Sequence, residues 1–523
     1  MKPFDKVSAS PTNPHPPAQA SAFDVADLYN GPVANVAEAT VSAKGDEKLR
    51  QAYFWIVNTA IISPFYDIEY NAKEPLSFTF GERGPRVTLP SDQSYSSFVL
   101  LPLLNLVLKR RCLLVGGPGR GKTASAVLMA LVAGYTMREI RQAIQHGQPQ
   151  MTISDLLGNP LPSSLVGAKS MEQIEISWRR WLSMRVKIID EYNRIPTRTQ
   201  SALLTVLADN YAEILDHIYE CPEAAWYLTA NDDAGGGTYQ VIEALRDRID
   251  VVVKALHFNT RFLGDLLLRM EQGVKPEEVI PPEIVFSEAE IDRMHKEILA
   301  VTIPDPLRRR IEFFTSNFEY CEPAGEQLEY KTKDTLKLSG LDFNLVAMGE
   351  TGKDKVKDIG TQTRNGLSVR SLMTLLAFAK ALAYFRGNRV VAFEDIRQIA
   401  PFVLHDKLTQ NADSPFFEGQ ETKVYRTDKV GWIRRLFDLS CQEYDRLGLD
   451  HDDPILGFEQ EFAKGLDGVS GNEVRRRLVR IERTLGEWSK GRKFYGHLLD
   501  DVLKLKYFHQ RYTNYLKWLE PPR

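Results

Sequence analysis

The chain has 523 residues, too many for one ordinary hydrophobic core, so two to four domains are expected. With 43% hydrophobic and 26% charged residues it reads as a soluble globular protein, which excludes a wholly disordered or fibrous one. A net charge of −3 argues against a dedicated nucleic-acid binder, whose footprint is usually basic.

Residues 1–45 are rich in Pro, Ala, Ser and Asn and poor in large apolar side chains, so they read as a disordered leader. They hold no apolar core of signal-peptide length, and no later stretch approaches about 18 uninterrupted apolar residues. The expected location is therefore cytoplasmic, without membrane insertion. Residues 46–91 read as helix plus hairpin: KLRQAYFWIVNTAII (48–62) is a helical apolar run, and LSFTFGERGPRVTLP (76–90) folds back around Gly81 to Pro85. SSFVLLPLLNLVLKR (96–110) then leads into a short strand, CLLV (112–115). Cys112, Cys221, Cys321 and Cys441 lie far apart with no CxxC, which signals buried free thiols rather than a zinc site or a disulfide framework.

From about 110 to 260 strands and helices alternate. CLLV, VKIID (186–190), AWYLTAN (225–231) and VVV (251–253) are the strands, with PTRTQSALLTVLADN (196–210) and EALRDRID (243–250) as helices between them. Such alternation predicts a parallel sheet with helices on both faces. Beyond 260 helices dominate. SEAEIDRMHKEILAV (287–301) opens with a capping box. SVRSLMTLLAFAKALAYFRG (368–387) sets Leu372, Leu375, Leu376, Ala379, Leu382 and Ala383 on one face and stops at Gly387. Residues 323–362 are polar and weakly patterned, as an insertion would be. The region from 411 to 523 is again helical, ending in KYFHQRYTNYLKWLE.

Directly behind CLLV stands GGPGRGKT, residues 116–123, which satisfies GxxxxGK[ST]. Glycines let successive backbone N–H groups turn around an anion, and the helix that follows adds its positive end. Gly116, Gly117, Pro118, Gly119, Arg120, Gly121, Lys122, Thr123 and Ala124 are therefore the candidate ATP-binding residues. Lys122 supplies charge for the β- and γ-phosphates, and the Thr123 hydroxyl is a candidate Mg2+ ligand. A chance match is roughly a 2% event at background residue usage, and the flanking strand and helix make it rarer. The strand VKIIDE supplies the acidic partner: Asp190 for Mg2+ through water and Glu191 as the base that polarises the attacking water. Lys187 interrupts this otherwise apolar strand.

DEYNRIPTRTQSALLTVLADN (190–210) resembles the Walker B region of the MoxR family of AAA+ ATPases, with Asn193-Arg194, Pro196 and Gln200-Ser201-Ala202-Leu203-Leu204 in the family's places. YLTAND (227–232) is similar to the family strand that ends in the sensor-1 asparagine, here Asn231. GTYQVIEALRDRID (237–250) resembles the family segment that holds the arginine finger. That implies Arg248 acting on ATP in the neighbouring subunit, with Arg246 as the other candidate. GLSVRSLMTLLAFAKALAYFRGNRVVAFEDIRQIAPFVLHDKL (366–408) resembles the lid, with Arg370 at the sensor-2 position, and ISDLLGNPLPSSLVG (153–167) resembles the helix-2 insert that faces the pore. For Arg194 the resemblance implies an intersubunit or sensor contact.

The resemblance covers about 92–410. It implies a P-loop AAA+ core at 92–260, a helical lid at 261–410 carrying the 323–362 insertion, and a C-terminal helical domain at 411–523. Residues 1–91 and 411–523 have no counterpart in the minimal family core. The resemblance further implies an ATPase that assembles as a homo-oligomeric ring, a hexamer, and remodels, activates or matures a client protein together with a von Willebrand A-domain partner. Two alternatives remain, a DNA-dependent motor and a nucleotide-gated scaffold. NEVRRRLVRIERTLGEW (472–488) motivates the first with five arginines in nine residues. Val474, Leu478, Ile481 and Leu485 nevertheless form a helical stripe that places the arginines on a solvated opposite face. The aromatic tail at 507–518 reads as helix packing rather than a base-stacking platform.

Overall fold

The computed structural model describes residues 44–61, 65–82, 84–168, 170–231, 243–255, 260–273, 275–321, 328–340, 359–451, 453–491 and 496–520. The expected leader falls outside them except for its last two residues. Segments 323–327 and 341–358 of the expected insertion, and residues 232–242 before the candidate finger arginines, are outside as well.

The amino-terminal part begins with helix α1 (Gly45–Trp55), continued by a π-helical turn over Ile56–Ala60. Strands β1 (Ile68–Tyr70) and β4 (Gln93–Tyr95) pair antiparallel, and between them β2 (Ser77–Thr79) and β3 (Arg86–Thr88) make the expected hairpin, with Phe78 opposite Val87. Helix α2 (Ser97–Leu108) is buried along nearly its whole length and leads to β5 (Arg111–Val115).

A five-stranded parallel sheet follows, built from β5, β6 (Gln145–His146), β9 (Val186–Asp190), β12 (Ala225–Ala230) and β13 (Val251–Lys254) in the spatial order β13-β5-β12-β9-β6. Two antiparallel pairs decorate it: β7 (Gly158–Pro160) with β8 (Ile176–Trp178), and β10 (Tyr211–Ile214) with β11 (His217–Glu220). Alternation along the strands divides the side chains between two cores. Cys112, Leu114, Tyr227 and Val253 enter one, and Leu113, Trp226, Leu228 and Val252 the other. Both faces are therefore apolar, as a covered parallel sheet requires. Helices α3 (Lys122–Val132), α4 (Thr197–Asp209) and α5 (Glu243–Arg248) connect its strands.

The chain then becomes helical, as the periodicity predicts. In α6 (Glu288–Leu299) the Ser287 hydroxyl accepts the Glu290 N–H at 3.3 Å while Glu290 accepts the Ser287 N–H at 2.8 Å, which closes the expected capping box. Helix α7 (Asp305–Glu319) precedes α8 (Val369–Phe385), which buries Leu375, Ala379, Leu382 and Ala383 and ends before Gly387, a residue at φ 81°. Helices α9 (Phe393–Leu404) and α10 (Lys429–Leu447) complete this layer. The amino-terminal part is lodged in it. Arg50 Nη1 donates to the Phe385 carbonyl at 2.8 Å, the Tyr53 and Phe385 rings meet edge to face at 5.4 Å, and the Tyr70 hydroxyl donates to Asp395 at 2.7 Å. One continuous apolar cluster runs from Leu49 in α1 through Cys112 and Leu114 in β5 to Phe378 in α8.

The last three helices, α11 (Leu456–Ala463), α12 (Gly471–Gly491) and α13 (Gly496–Leu519), enclose a small core of their own around Phe458, Val474, Ile481, Leu505, Phe508 and Tyr512. The predicted stripe is the one that packs. The arginines depart from expectation in one respect. Arg477 lies three residues after Val474 and four before Ile481, on the packed side, and its side chain is only 12% exposed. All four cysteines are buried. Among the described residues no helix is long and apolar enough to cross a membrane, and no cluster of metal-ligating side chains occurs.

Candidate nucleotide site

The loop between β5 and α3 holds the candidate phosphate-binding residues. Gly116 is buried, while Pro118, Gly119, Arg120 and Gly121 are exposed at its tip, and Ala124 is exposed in the first turn of α3. Gly121 caps α3 at φ 76°, a backbone region that costs an L side chain free energy but suits glycine. The turn delivers Lys122 and Thr123 to the positive end of the helix, the position in which a phosphate is best held. Lys122 is buried, and its Nζ donates to the carbonyls of Gly116 at 2.6 Å and Gly117 at 2.7 Å and to Asn231 Oδ1 at 2.9 Å.

Across the sheet, β9 carries Asp190 to its carboxyl end. The Thr123 hydroxyl donates to Asp190 Oδ1 at 2.7 Å, so the two expected metal ligands already touch. A hydroxyl and a carboxylate beside an anion-binding loop are hard oxygen donors, a set that fits Mg2+. Glu191 follows in the left-handed conformation, φ 54° and ψ 45°, which costs about 1–2 kcal/mol for a residue with a side chain. The turn also requires Gly147, whose N–H donates to the Asp190 carbonyl at 2.7 Å; a Cβ there would lie 2.2 Å from the Glu191 carbonyl oxygen. The strained turn aims Glu191 back at the site. Its Oε1 accepts the Asn231 amide at 3.0 Å and its Oε2 meets Arg194 Nε at 3.1 Å. Lys122, Asn231 and Glu191 thus form one hydrogen-bonded chain from the phosphate loop to the candidate base.

Three features of this corner had escaped the sequence reading. Thr229 Oγ1 donates to Asp190 Oδ1 and accepts the Glu191 N–H. His146 on β6 places Nδ1 3.4 Å from Asp190 Oδ2. Lys187, the charge that interrupts the apolar strand, is buried, with its ammonium on the carbonyls of Trp181 at 3.2 Å, Leu182 at 2.7 Å and Met184 at 2.6 Å. Burial pulls that ammonium down to about 8 from the usual lysine range. Two of the three had a readable signal: Thr229 is a lone hydroxyl in an otherwise apolar strand two residues before the asparagine, and Lys187 is a lone charge in the apolar strand before Asp190.

The remaining candidates are engaged elsewhere. Arg248 ends α5, and its Nη1 donates to the Ala244 carbonyl of the same helix at 3.1 Å. Arg370, in the first turn of α8, donates to Asp247 Oδ2 at 2.8 Å. Ser368 donates to the other Asp247 oxygen at 3.2 Å, and Lys407 holds the carbonyls of Arg246 and Asp247. The helix bearing Arg246 and Arg248 is therefore fastened to the helical layer. In the region likened to the pore insert, Leu165 and Val166 are exposed. The five arginines of α12 each have a carboxylate partner: Arg475 with Glu520, Arg476 with Glu473, Arg477 and Arg480 with Glu461, and Arg483 with Glu487.

Residues 111–251 match the family model of the ATPase family associated with various cellular activities (AAA), and residues 357–427 match the AAA lid domain. The chain is 24% identical over 316 residues to Chaperone MoxR1 of Mycobacterium tuberculosis, covering 60% of this chain and 71% of that one. It is 23% identical over 330 residues to the uncharacterized protein YeaC of Bacillus subtilis, covering 62% and 86%. A solved structure from Cytophaga hutchinsonii, provisionally described as an ATPase, shares 20% identity over 64% of this chain and 88% of its own, with a TM-score of 0.44. The parallel sheet with its loop at 116–123 and the match to the AAA ATPase and lid models show an AAA+ fold, and the likeness to Chaperone MoxR1 supports the resemblance to the MoxR-like ATPases.

Proposed function

We propose that this chain hydrolyses ATP within a homo-oligomeric ring, a hexamer, and uses the released free energy to remodel, activate or mature a client protein together with a von Willebrand A-domain partner. Lys122 and the backbone N–H groups of the loop 116–123, Pro118 excepted, bind the phosphates. Thr123 and Asp190 would hold Mg2+, which neutralises charge on the β- and γ-phosphates when bound. The Glu191 carboxylate takes a proton from water while the water oxygen attacks the γ-phosphorus and the bond to the β-phosphate oxygen breaks, giving ADP and phosphate. Asn231 keeps Glu191 oriented, Arg248 is supplied by the adjacent protomer, and Arg370 reports nucleotide to the lid.

The observation that carries this reading is the Lys122–Asn231–Glu191 chain, which ties the base to the phosphate loop. Glu191→Gln should lower kcat by about a thousandfold, within the range of lost general-base catalysis, while ATP binding persists. Undiminished phosphate release by that variant would sink the assignment. A DNA motor is the weaker reading, because the arginines that motivate it are neutralised within α11–α13 or by Glu520. Strong stimulation by DNA with a steep salt dependence would restore it.

A further inference from the structure

Thr229 stands in a strand otherwise made of Ala225, Trp226, Tyr227, Leu228 and Ala230, and its residue exposure is 0%. A hydroxyl buried so completely costs free energy unless it finds partners. It has two, and both belong to the acidic pair. Oγ1 donates to Asp190 Oδ1 at 2.6 Å and accepts the Glu191 N–H at 2.9 Å. The parallel ladder between β12 and β9 ends at Leu228 and Ile189. One residue beyond Asp190 the chain enters the left-handed turn, and there the Thr229 hydroxyl takes the place of a strand carbonyl in bonding the Glu191 N–H. A single oxygen atom thereby fixes the side chain of the candidate metal ligand and the main chain of the candidate base.

We infer that Thr229 is a positioning residue for hydrolysis, its hydroxyl holding Glu191 in the strained backbone conformation from which the carboxylate meets Asn231. It acts through Glu191 and Asp190 rather than on the nucleotide, and the inference rests on the reading of Glu191 as general base. A serine keeps the hydroxyl, whereas a valine keeps the branched shape that fills the strand and removes the hydrogen bonds. Small misplacement of a reacting group costs roughly a hundredfold in rate, and a residue acting only through the base leaves nucleotide binding alone.

The test is steady-state ATP hydrolysis by the full-length chain, with affinity for a fluorescent ATP analogue measured alongside. Thr229→Val should lower kcat by about ten- to a hundredfold with KM and analogue affinity within about threefold of the parent. Thr229→Ser should stay within about threefold in every parameter, and adding Thr229→Val to Glu191→Gln should cause no further loss, because both changes disable one unit. Equal damage from serine and valine, or a loss confined to nucleotide affinity, would overturn the inference. If Glu191→Gln is inactive while Thr229→Val turns over normally, the role of Thr229 falls alone. If Glu191→Gln itself turns over normally, the general-base reading falls and this inference with it. Should the valine variant fail to fold, Thr229→Cys, similar in size but a poor hydrogen-bonding group, replaces it with the same expectations.

Discussion

The carboxyl end of the sheet and the C-terminal helices α11–α13 are held together on opposite terms. At the sheet end, Lys122, Thr123, Asp190, Glu191, Thr229 and Asn231 are joined by short hydrogen bonds around a left-handed Glu191. In the helices, apolar side chains such as Leu505 and Phe508 fill the interior and the charged groups pair around the outside. The first arrangement is costly in stability and specific in chemistry, and each member is hard to replace. The second tolerates substitution wherever volume and periodicity are kept.

This contrast is sharpest at Lys122. Lys122→Ala removes a buried charge from the phosphate loop and should weaken ATP-analogue binding by roughly a hundredfold, given that truncating one partner of a buried charged contact costs about 3 kcal/mol. Unchanged affinity in a direct titration would break the comparison at its polar end. At the other end, Leu505→Ala should destabilise the helical unit by about 2–5 kcal/mol, read from its denaturant midpoint, with kcat within about threefold of the parent. A comparable fall in turnover would show that the two regions are not independent. The smallest effect concerns Asp500. Asp500 lines a cleft whose partial desolvation, reinforced by Glu319, raises its carboxyl to about 6. The proton is then bound more tightly in the folded state, so the stabilising contribution is complete below about pH 4 and is lost as the pH rises through 6. Asp500→Asn should accordingly raise Tm at pH 7.5 and leave it unchanged at pH 4, as a thermal scan at the two pH values would show.

The phosphate loop and the acidic strand were legible because phosphate chemistry demands particular residue types at fixed spacing, and the helices because their faces repeat. What stayed hidden depends on the third dimension. Lys187 looks misplaced until the carbonyls of Trp181, Leu182 and Met184 close over it. The β10–β11 hairpin carries no turn signal, since the two left-handed positions that such a turn requires are filled by Leu215 at φ 50° and Asp216 at φ 64° instead of glycine or asparagine. Arg477 follows the arithmetic of the helix rather than the preference of its charge, and Glu461 and Glu473 make its position tolerable. The roles proposed for Arg248 and Arg370 would involve another subunit or a bound nucleotide, whereas within this chain Arg248 bonds the Ala244 carbonyl and Arg370 bonds Asp247.

The apolar cluster that joins α1, β5 and α8 constrains how the molecule can change shape. A flap that opened on a hinge would have to pull Phe385 away from Tyr53, and Asp395 away from Tyr70, exposing both to water. Sliding of packed helices past one another keeps those groups covered, and close-packed interiors yield more readily by such small shears than by separation. The amino-terminal helix then serves as a bearing surface along which α8 can slide.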